Sequence, residues 1–122
     1  MRYSPRLLNY FYNAHHGGEL DPEVGTIYQA ELHSENNDYF LRLYLHCNNQ
    51  KIICAKFQAH GSVAVIAACE YVCCWLEGKT RVEAQQLNVQ QIIERLEMST
   101  LQNHVAALIK RLVSLALQQI PH

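Results

Sequence analysis

The sequence predicts an α+β fold, a small three-stranded antiparallel sheet with helices packed on one of its faces. Alternation of apolar and polar residues, typical of strands, is confined to the first half of the chain, and helical periodicity dominates the second half. Strands followed by helices are typical of this fold class. The 122 residues contain no linker and no low-complexity segment, so we expect a single domain over residues 1–122.

The first half of the chain begins with a short helix and continues with three strands. Ser4 is placed to cap a helix that has Pro5 at its first position and extends to about Asn13. Asn48 and Asn49 suit a tight hairpin turn, because asparagine tolerates a positive φ. The strand candidates are residues 26–32, 39–47 and 51–59.

A central helix follows the third strand, and the rest of the chain is organised around it. Ser62 is a natural N-cap, and Gly78 is a natural terminator because glycine adopts a left-handed conformation without strain. The residues between them leave almost no polar face, which predicts a buried helix. The start of a helix beside a strand end is also a common place for a functional site.

Three further helical segments are predicted after the central helix. Residues 80–83 have capping-box spacing and start a short helix to about Leu87. Asn88 caps the next helix, and Ser99 with Gln102 repeats the capping-box pattern before a last amphipathic helix. The apolar positions at helical spacing in this last segment are Leu101, Val105, Leu108, Ile109, Leu112 and Leu115.

Charge and hydropathy exclude several classes of function. The chain has ten Lys and Arg residues and 11 Asp and Glu residues, and the basic residues form no cluster in the sequence. No nucleic acid partner is therefore expected. No apolar run reaches membrane-spanning length, because Glu70 interrupts the central helix. The N-terminal residues lack the basic-then-apolar layout of a signal peptide, which predicts a cytoplasmic location.

The five cysteines, at positions 47, 54, 69, 73 and 74, form no CxxC motif. An odd number of cysteines in a reducing compartment argues against a disulfide framework. Cys69, Cys73 and Cys74 fall in the central helix, and we interpret them as small core residues. Cys69 and Cys73 are one helical turn apart and could share a ligand, which is the less favoured interpretation.

Two adjacent histidines, His15 and His16, precede Gly17 and Gly18 after the first helix. Imidazole nitrogens are common metal ligands, so the pair could bind a metal ion. Neighbouring residues seldom point at one centre, however, and a solvated loop is the favoured interpretation.

Two stretches of the chain carry a resemblance to a known family. Residues 3–21, YSPRLLNYFYNAHHGGELD, are similar to a tyrosine-led helix and its following loop, and residues 57–80, FQAHGSVAVIAACEYVCCWLEGKT, to a strand–turn–helix pattern. Both patterns belong to the iron–sulfur cluster assembly scaffolds of the NifU N-terminal/IscU type, and the chain resembles that family over nearly its whole length. The resemblance implies the IscU/SufE-like α+β fold. The residues in register are Asn13, Gly18, Leu20, Asp21, Phe57, Gly61, Ile66, Ala67, Trp75, Gly78 and Lys79.

The chain departs from the family pattern at the residues with which the family binds its cluster or metal. The family holds its cluster or metal with three cysteines, helped by an aspartate and a histidine, and the resemblance places the cysteines at Asn36, Ser62 and Val105. The aspartate and the histidine remain, as Asp38 and His104. Iron–sulfur clusters need thiolate ligands in nearly every case, so we do not expect this chain to assemble clusters by the family's mechanism. Residues 98–102, MSTLQ, also replace the Leu-Pro-Pro-Val-Lys segment with which such scaffolds recruit their chaperone.

Three functional hypotheses follow. The first is a scaffold paralogue without enzymatic activity, which binds a cysteine desulfurase or other iron–sulfur assembly proteins as an adaptor or regulator. The second is a remodelled site for zinc or iron made of Asp38, His104 and His60, since an Asp/His set suits these ions better than a cluster. The third, an enzyme with Ser62 as nucleophile, is the least favoured because helix capping explains that serine fully.

Overall fold

The computed structural model describes residues 2–36 and 38–121. Its α+β architecture, with a three-stranded antiparallel sheet, confirms the predicted fold class. Within the described ranges, no helix is both long and apolar enough to cross a membrane. Short 3₁₀ turns at Pro22–Val24 and Thr100–Gln102 precede the first strand and the last helix. The main elements are α1 (Pro5–Tyr12), β1 (Ile27–His33), β2 (Phe40–Asn48), β3 (Lys51–His60), α2 (Val63–Leu76), α3 (Arg81–Ala84), α4 (Val89–Leu96) and α5 (Asn103–Gln118).

The sheet has the order β1-β2-β3, and both pairings are antiparallel. Alternate residues of the middle strand, Leu41, Leu43 and Leu45, are fully or almost fully buried. Helix α2 packs on β3, and α5 packs on β1 and β2. The core therefore lies between one face of the sheet and these two helices.

The hairpin between β2 and β3 turns one residue later than the sequence predicts. Asn48 still pairs with Lys51, and the turn consists of Asn49 and Gln50, both with positive φ. Two positive φ values in a two-residue loop are typical of a type I′ turn. Tertiary contacts hold Gln50 in this conformation, since its carbonyl accepts a 2.7 Å hydrogen bond from the Arg81 amide.

The alternation predicted for the third strand breaks at its beginning. Cys47 pairs with Ile52 and His46 pairs with Cys54, so Ile53 is an extra residue in β3. Such a β-bulge reverses the side-chain alternation that precedes it. Ile52 consequently faces the core and is fully buried, whereas Ile53 is 46% exposed.

Most of the predicted caps form. Ser62 caps α2 by accepting a 3.3 Å hydrogen bond from the Val65 amide. Thr80 and Glu83 form the predicted capping box, with hydrogen bonds of 2.9 and 3.1 Å. Ser99 and Gln102 also form the predicted capping box, in which the Ser99 amide donates to Gln102 Oε1 at 3.0 Å. The start of the last helix differs, because residues 100–102 form a 3₁₀ turn and leave Leu101 69% exposed instead of on the apolar face of α5.

Two chain segments cover the outer edge of β3. The Phe57 amide donates to the His16 carbonyl in the loop after α1, at 2.9 Å. Closer to the start of β3, the Ile52 amide donates to the Lys79 carbonyl, at 2.8 Å. Unpaired edge strands are prone to pair with other chains, and here the loop after α1 and the segment after α2 occupy the edge.

We expect Gly78→Ala to destabilise the protein by about 1–2 kcal/mol, because φ at this residue is +90° and L residues rarely adopt that conformation. A Cβ atom at Gly78 would meet nothing within 4 Å, so the cost is one of backbone strain alone. Urea unfolding measures the change. Gly17→Ala is the matched control, since its Cβ is equally free and its φ is outside the left-handed region; equal effects of the two substitutions would contradict the account.

Candidate functional site

The three residues predicted as metal ligands are all exposed in the structure. Asp38 lies just before β2, and His60 ends β3 opposite Phe40, so both are at the same end of the sheet. His104 is the second residue of α5. Over the described ranges, the structure does not bring the ligand atoms of Asp38, His60 and His104 within 4.8 Å of one another. A metal site made of these residues stays a prediction.

The positions where the resemblance places cysteines have different environments here. Asn36 is an exposed turn residue, and its neighbour Asn37 lies outside the described residues. Ser62 is exposed and serves as the cap of α2. Val105 is buried in the core, with 3% of its surface exposed. The corner between β3 and α2 therefore carries no thiol at any of these positions.

A different group of side chains converges at the other half of α2. His15 and His16 come from the loop after α1, and Glu70 and Cys74 are one turn apart on α2. One potential ligand atom from each of these residues lies within 4.8 Å of all the others. We call these four residues the loop–helix cluster.

The Glu70 carboxylate is the centre of the loop–helix cluster. Its Oε1 atom accepts the backbone N–H groups of His15 and His16, both at 2.9 Å. Its Oε2 atom lies 2.5 Å from His16 Nδ1, 3.3 Å from His15 Nδ1 and 3.3 Å from the Cys74 sulfur. One oxygen thus fixes the loop backbone, and the other faces three side chains that can bind a proton or a metal ion.

A second carboxylate holds the opposite side of the His16 ring. The Nε2 atom of His16 lies 2.9 Å from Glu77 Oε1, and Glu77 Oε2 accepts the Ala55 amide of β3 at 3.0 Å. His16 is therefore bound between Glu70 and Glu77, and the three side chains connect the loop, α2 and β3.

The charges in this arrangement stabilise one another. Burial alone would lower the pKa of His16, but its hydrogen bonds to Glu77 and Glu70 outweigh burial and raise the pKa above the usual value. Burial would likewise raise the pKa of Glu70, but the hydrogen bonds from His16 and its backbone lower it. Hydrogen bonding to His16 similarly lowers the pKa of Glu77 against the effect of burial. The ring of His16 and the two carboxylates therefore favour one another's charged forms.

All five thiols have a pKa above the ordinary range. Burial raises the pKa of Cys69 to about 12, that of Cys73 well above its usual value, and also those of Cys47 and Cys54. Cys74 is exposed, contrary to its predicted place in the core, but partial burial and its hydrogen bond to Glu70 raise its pKa to about 11. The thiolate is the reactive form of cysteine, so none of these thiols is activated.

The loop–helix cluster differs from the solvated loop that the sequence favours. His15 is exposed as expected, but His16 is only 7% exposed and contacts two carboxylates. The signal in the sequence was Glu70, a lone carboxylate in a helix that is otherwise apolar. A buried carboxylate requires a partner, and here the His16 ring and the backbone amides of His15 and His16 provide it.

We expect the stability of the metal-free protein to depend on pH through His16. A raised pKa means that its contribution is complete below about pH 6.5 and is lost as the pH rises through the folded-state value. The lowered pKa values of Glu70 and Glu77 mean that their contribution is present above about pH 4.5 and is lost at lower pH. His16→Gln should therefore cost more free energy of unfolding at about pH 5.5 than at about pH 9, measured by urea unfolding with a chelator present.

The exposed His33 on β1 provides the control for this experiment. His33→Gln should cost little at either pH. A His16→Gln effect of the same size at both pH values would contradict the ion-paired state of the ring.

Comparison with known proteins places the chain in a family. A family model described as the NifU-like N terminal domain matches residues 2–122. The iron-sulfur cluster assembly scaffold protein IscU of Azotobacter vinelandii is 29% identical over 126 residues, which cover 100% of this chain and 96% of the relative. The protein of the same name from Escherichia coli K12 is 25% identical over 118 residues, covering 96% of this chain and 92% of the relative.

The fold has a close match among solved structures. The crystal structure of a nitrogen-fixing NifU-like protein (N-terminal) from Brucella abortus superimposes with a TM-score of 0.71 and covers 96% of this chain and 92% of that one. Its sequence identity is 12%, so this similarity concerns the fold alone. With the family model matched over residues 2–122, the chain belongs to the NifU-like N terminal domain family.

Proposed function

We propose that this protein acts in iron–sulfur cluster assembly as an adaptor or regulator that keeps the scaffold shape without building clusters by the three-cysteine mechanism. The relatives that carry the name of iron–sulfur cluster assembly scaffold align with almost the full chain, which supports the pathway. The observation that carries the finer proposal is the corner between β3 and α2, where Ser62 caps the helix in place of a thiol ligand.

No other thiol can replace the missing ligands at this corner. Cys69 and Cys73 are buried in the core, and Cys47 and Cys54 lie on strands. Cys74 is exposed, but it is 12 residues along the chain from Ser62, which is about 18 Å along a helix axis. A cluster bound at the corner would lack the thiolates that it needs.

The raised pKa values support the same proposal for sulfur transfer. Persulfide transfer requires a nucleophilic thiolate that a sulfur donor can reach. Burial keeps Cys69 and Cys73 out of reach, and partial burial together with the hydrogen bond to Glu70 raises the pKa of Cys74 to about 11. The protein would therefore contact the assembly machinery without receiving sulfur from it.

Because this chain shares its fold with the scaffold family, we expect its partner to be another protein of iron–sulfur cluster assembly. The proposed partner is a cysteine desulfurase or another assembly protein that binds the shape shared with the scaffold relatives. Residues 98–102, where the resemblance places the chaperone-recruiting segment, include a 3₁₀ turn with Leu101 exposed. This segment has no proline pair, so the proposed role does not use that chaperone.

The test is an anaerobic assay with a cysteine desulfurase, cysteine and ferrous iron. We expect a complex with the desulfurase and a changed rate of sulfide release. Mass spectrometry should find no persulfide on the five cysteines, and the absorption spectrum should show no cluster on the protein. The physical reason is the absence of an accessible thiolate at the corner.

A variant with restored thiols provides the matched control. Asn36→Cys/Ser62→Cys/Val105→Cys places cysteines at the three family positions beside Asp38 and His104, and it should gain cluster absorption under the same conditions. A cluster or persulfide on the unmodified protein would contradict the proposal. So would the absence of both a complex and any effect on sulfide release.

A further inference from the structure

We propose that the loop–helix cluster of His15, His16, Glu70 and Cys74 binds one divalent metal ion of the zinc class. This site is separate from the corner at Ser62, because the two lie toward opposite ends of α2. It is also separate from the predicted ligands Asp38, His60 and His104, none of which belongs to the cluster.

Three of the distances between ligand atoms are close to those of a four-coordinate site. In a tetrahedral zinc site, metal–ligand distances of about 2.0–2.3 Å place neighbouring ligand atoms roughly 3.3–3.6 Å apart. Glu70 Oε2 lies 3.3 Å from His15 Nδ1 and 3.3 Å from the Cys74 sulfur, and that sulfur lies 3.8 Å from His16 Nδ1. The pair that must separate is His16 Nδ1 and Glu70 Oε2, which lie 2.5 Å apart.

Hydrogen bonds outside the cluster already orient two of its ligands. The backbone amides of His15 and His16 occupy Glu70 Oε1, so Oε2 is the carboxylate atom that faces the other side chains of the cluster. Glu77 accepts the Nε2–H of His16, so that Nδ1 is directed toward Glu70. A carboxylate behind a ligating histidine is a common second layer of zinc sites, where it sets the tautomer and the ring orientation.

The ligand set selects a class of metal. Two imidazoles, one carboxylate and one thiol suit zinc or cobalt, whereas magnesium and calcium prefer oxygen atoms alone. A bound dication also changes the protonation of its ligands. It takes the place of the proton on His16 Nδ1, and the Cys74 thiol releases its proton when it binds the ion. The carboxylate and the thiolate would then balance the charge of the ion.

An ion can reach the site without unfolding of the chain. His15 and Cys74 are both exposed, and they form the solvent side of the cluster. Cys74 also lines an open groove together with Tyr71 and Trp75. The buried members, His16 and Glu70, form the inner wall.

A purely structural role explains only part of this arrangement. Ion pairing fully accounts for His16, Glu70 and Glu77, which connect three elements of the fold. It does not require His15 and Cys74 to lie against the same carboxylate oxygen; the hydrogen bond from His15 Nδ1 to the Asn13 carbonyl, 3.1 Å long, is the contact that a bound ion would replace. A metal ion accounts for the convergence of His15 and Cys74 on the same carboxylate oxygen.

The test is a titration of chelator-treated, reduced protein with zinc, in competition with a chromophoric chelator, and with cobalt(II) as a spectroscopic substitute. We expect one ion per chain and a cobalt spectrum with tetrahedral d–d bands and a thiolate-to-cobalt charge-transfer band. Cys74→Ser should abolish the charge-transfer band, and His15→Ala should weaken zinc binding at least about 10-fold. Both residues are exposed, so these variants leave the core intact.

Two variants serve as controls. Cys47→Ser removes a thiol that lies outside the cluster, and Asp38→Ala/His104→Ala removes two of the three ligands predicted from the sequence; both variants should keep full affinity and an unchanged cobalt spectrum. Glu77→Gln tests the positioning role of that carboxylate, and its zinc affinity should fall about 10–100-fold. Less than one ion per chain, or an unchanged cobalt spectrum in Cys74→Ser, would overturn the proposal. Loss of binding in Asp38→Ala/His104→Ala with retention in Cys74→Ser and His15→Ala would assign the metal to the corner instead.

Discussion

The hydrogen bonding of the buried Glu70 carboxylate is the interaction on which the rest of this structure depends. It is 1% exposed in a helix that otherwise packs apolar residues against the sheet, and an unpaired charge there would cost several kcal/mol. Two backbone amides and the His16 ring compensate that cost. These hydrogen bonds hold the loop after α1 against α2. Glu77 and the Phe57 amide also hold the loop against the edge of β3.

Local chemistry made most of the fold predictable from the sequence. Apolar alternation located the strands, and the caps at Ser62 and Thr80 located helix starts, because these signals act within a few residues. The bulge at Ile53 and the turn at Gln50 were missed, since both depend on tertiary partners. The loop–helix cluster was missed for the same reason: 54 positions of sequence separate His16 from Glu70, and nothing local indicates that they meet.

The two ends of α2 carry different sets of side chains, and we propose different chemistry for each end. At its N-terminal end the frame of strand, Gly61 and helix is kept, but Ser62 satisfies a backbone amide and binds no cluster in our proposal. Toward its C-terminal end, side chains that could hold an ion converge on one carboxylate oxygen. We propose that sulfur chemistry is lost at one end and that a mononuclear metal site is gained at the other. The two proposals depend on different residues, so either can be true without the other.

The most direct test of this division is an anomalous diffraction measurement on crystals grown with zinc. Difference maps from data on either side of the zinc absorption edge locate the ion without reference to activity. We expect one peak, enclosed by the two Nδ1 atoms of His15 and His16, Glu70 Oε2 and the Cys74 sulfur. A peak beside Asp38 and His104, or no ordered zinc within the loop–helix cluster, would contradict this expectation.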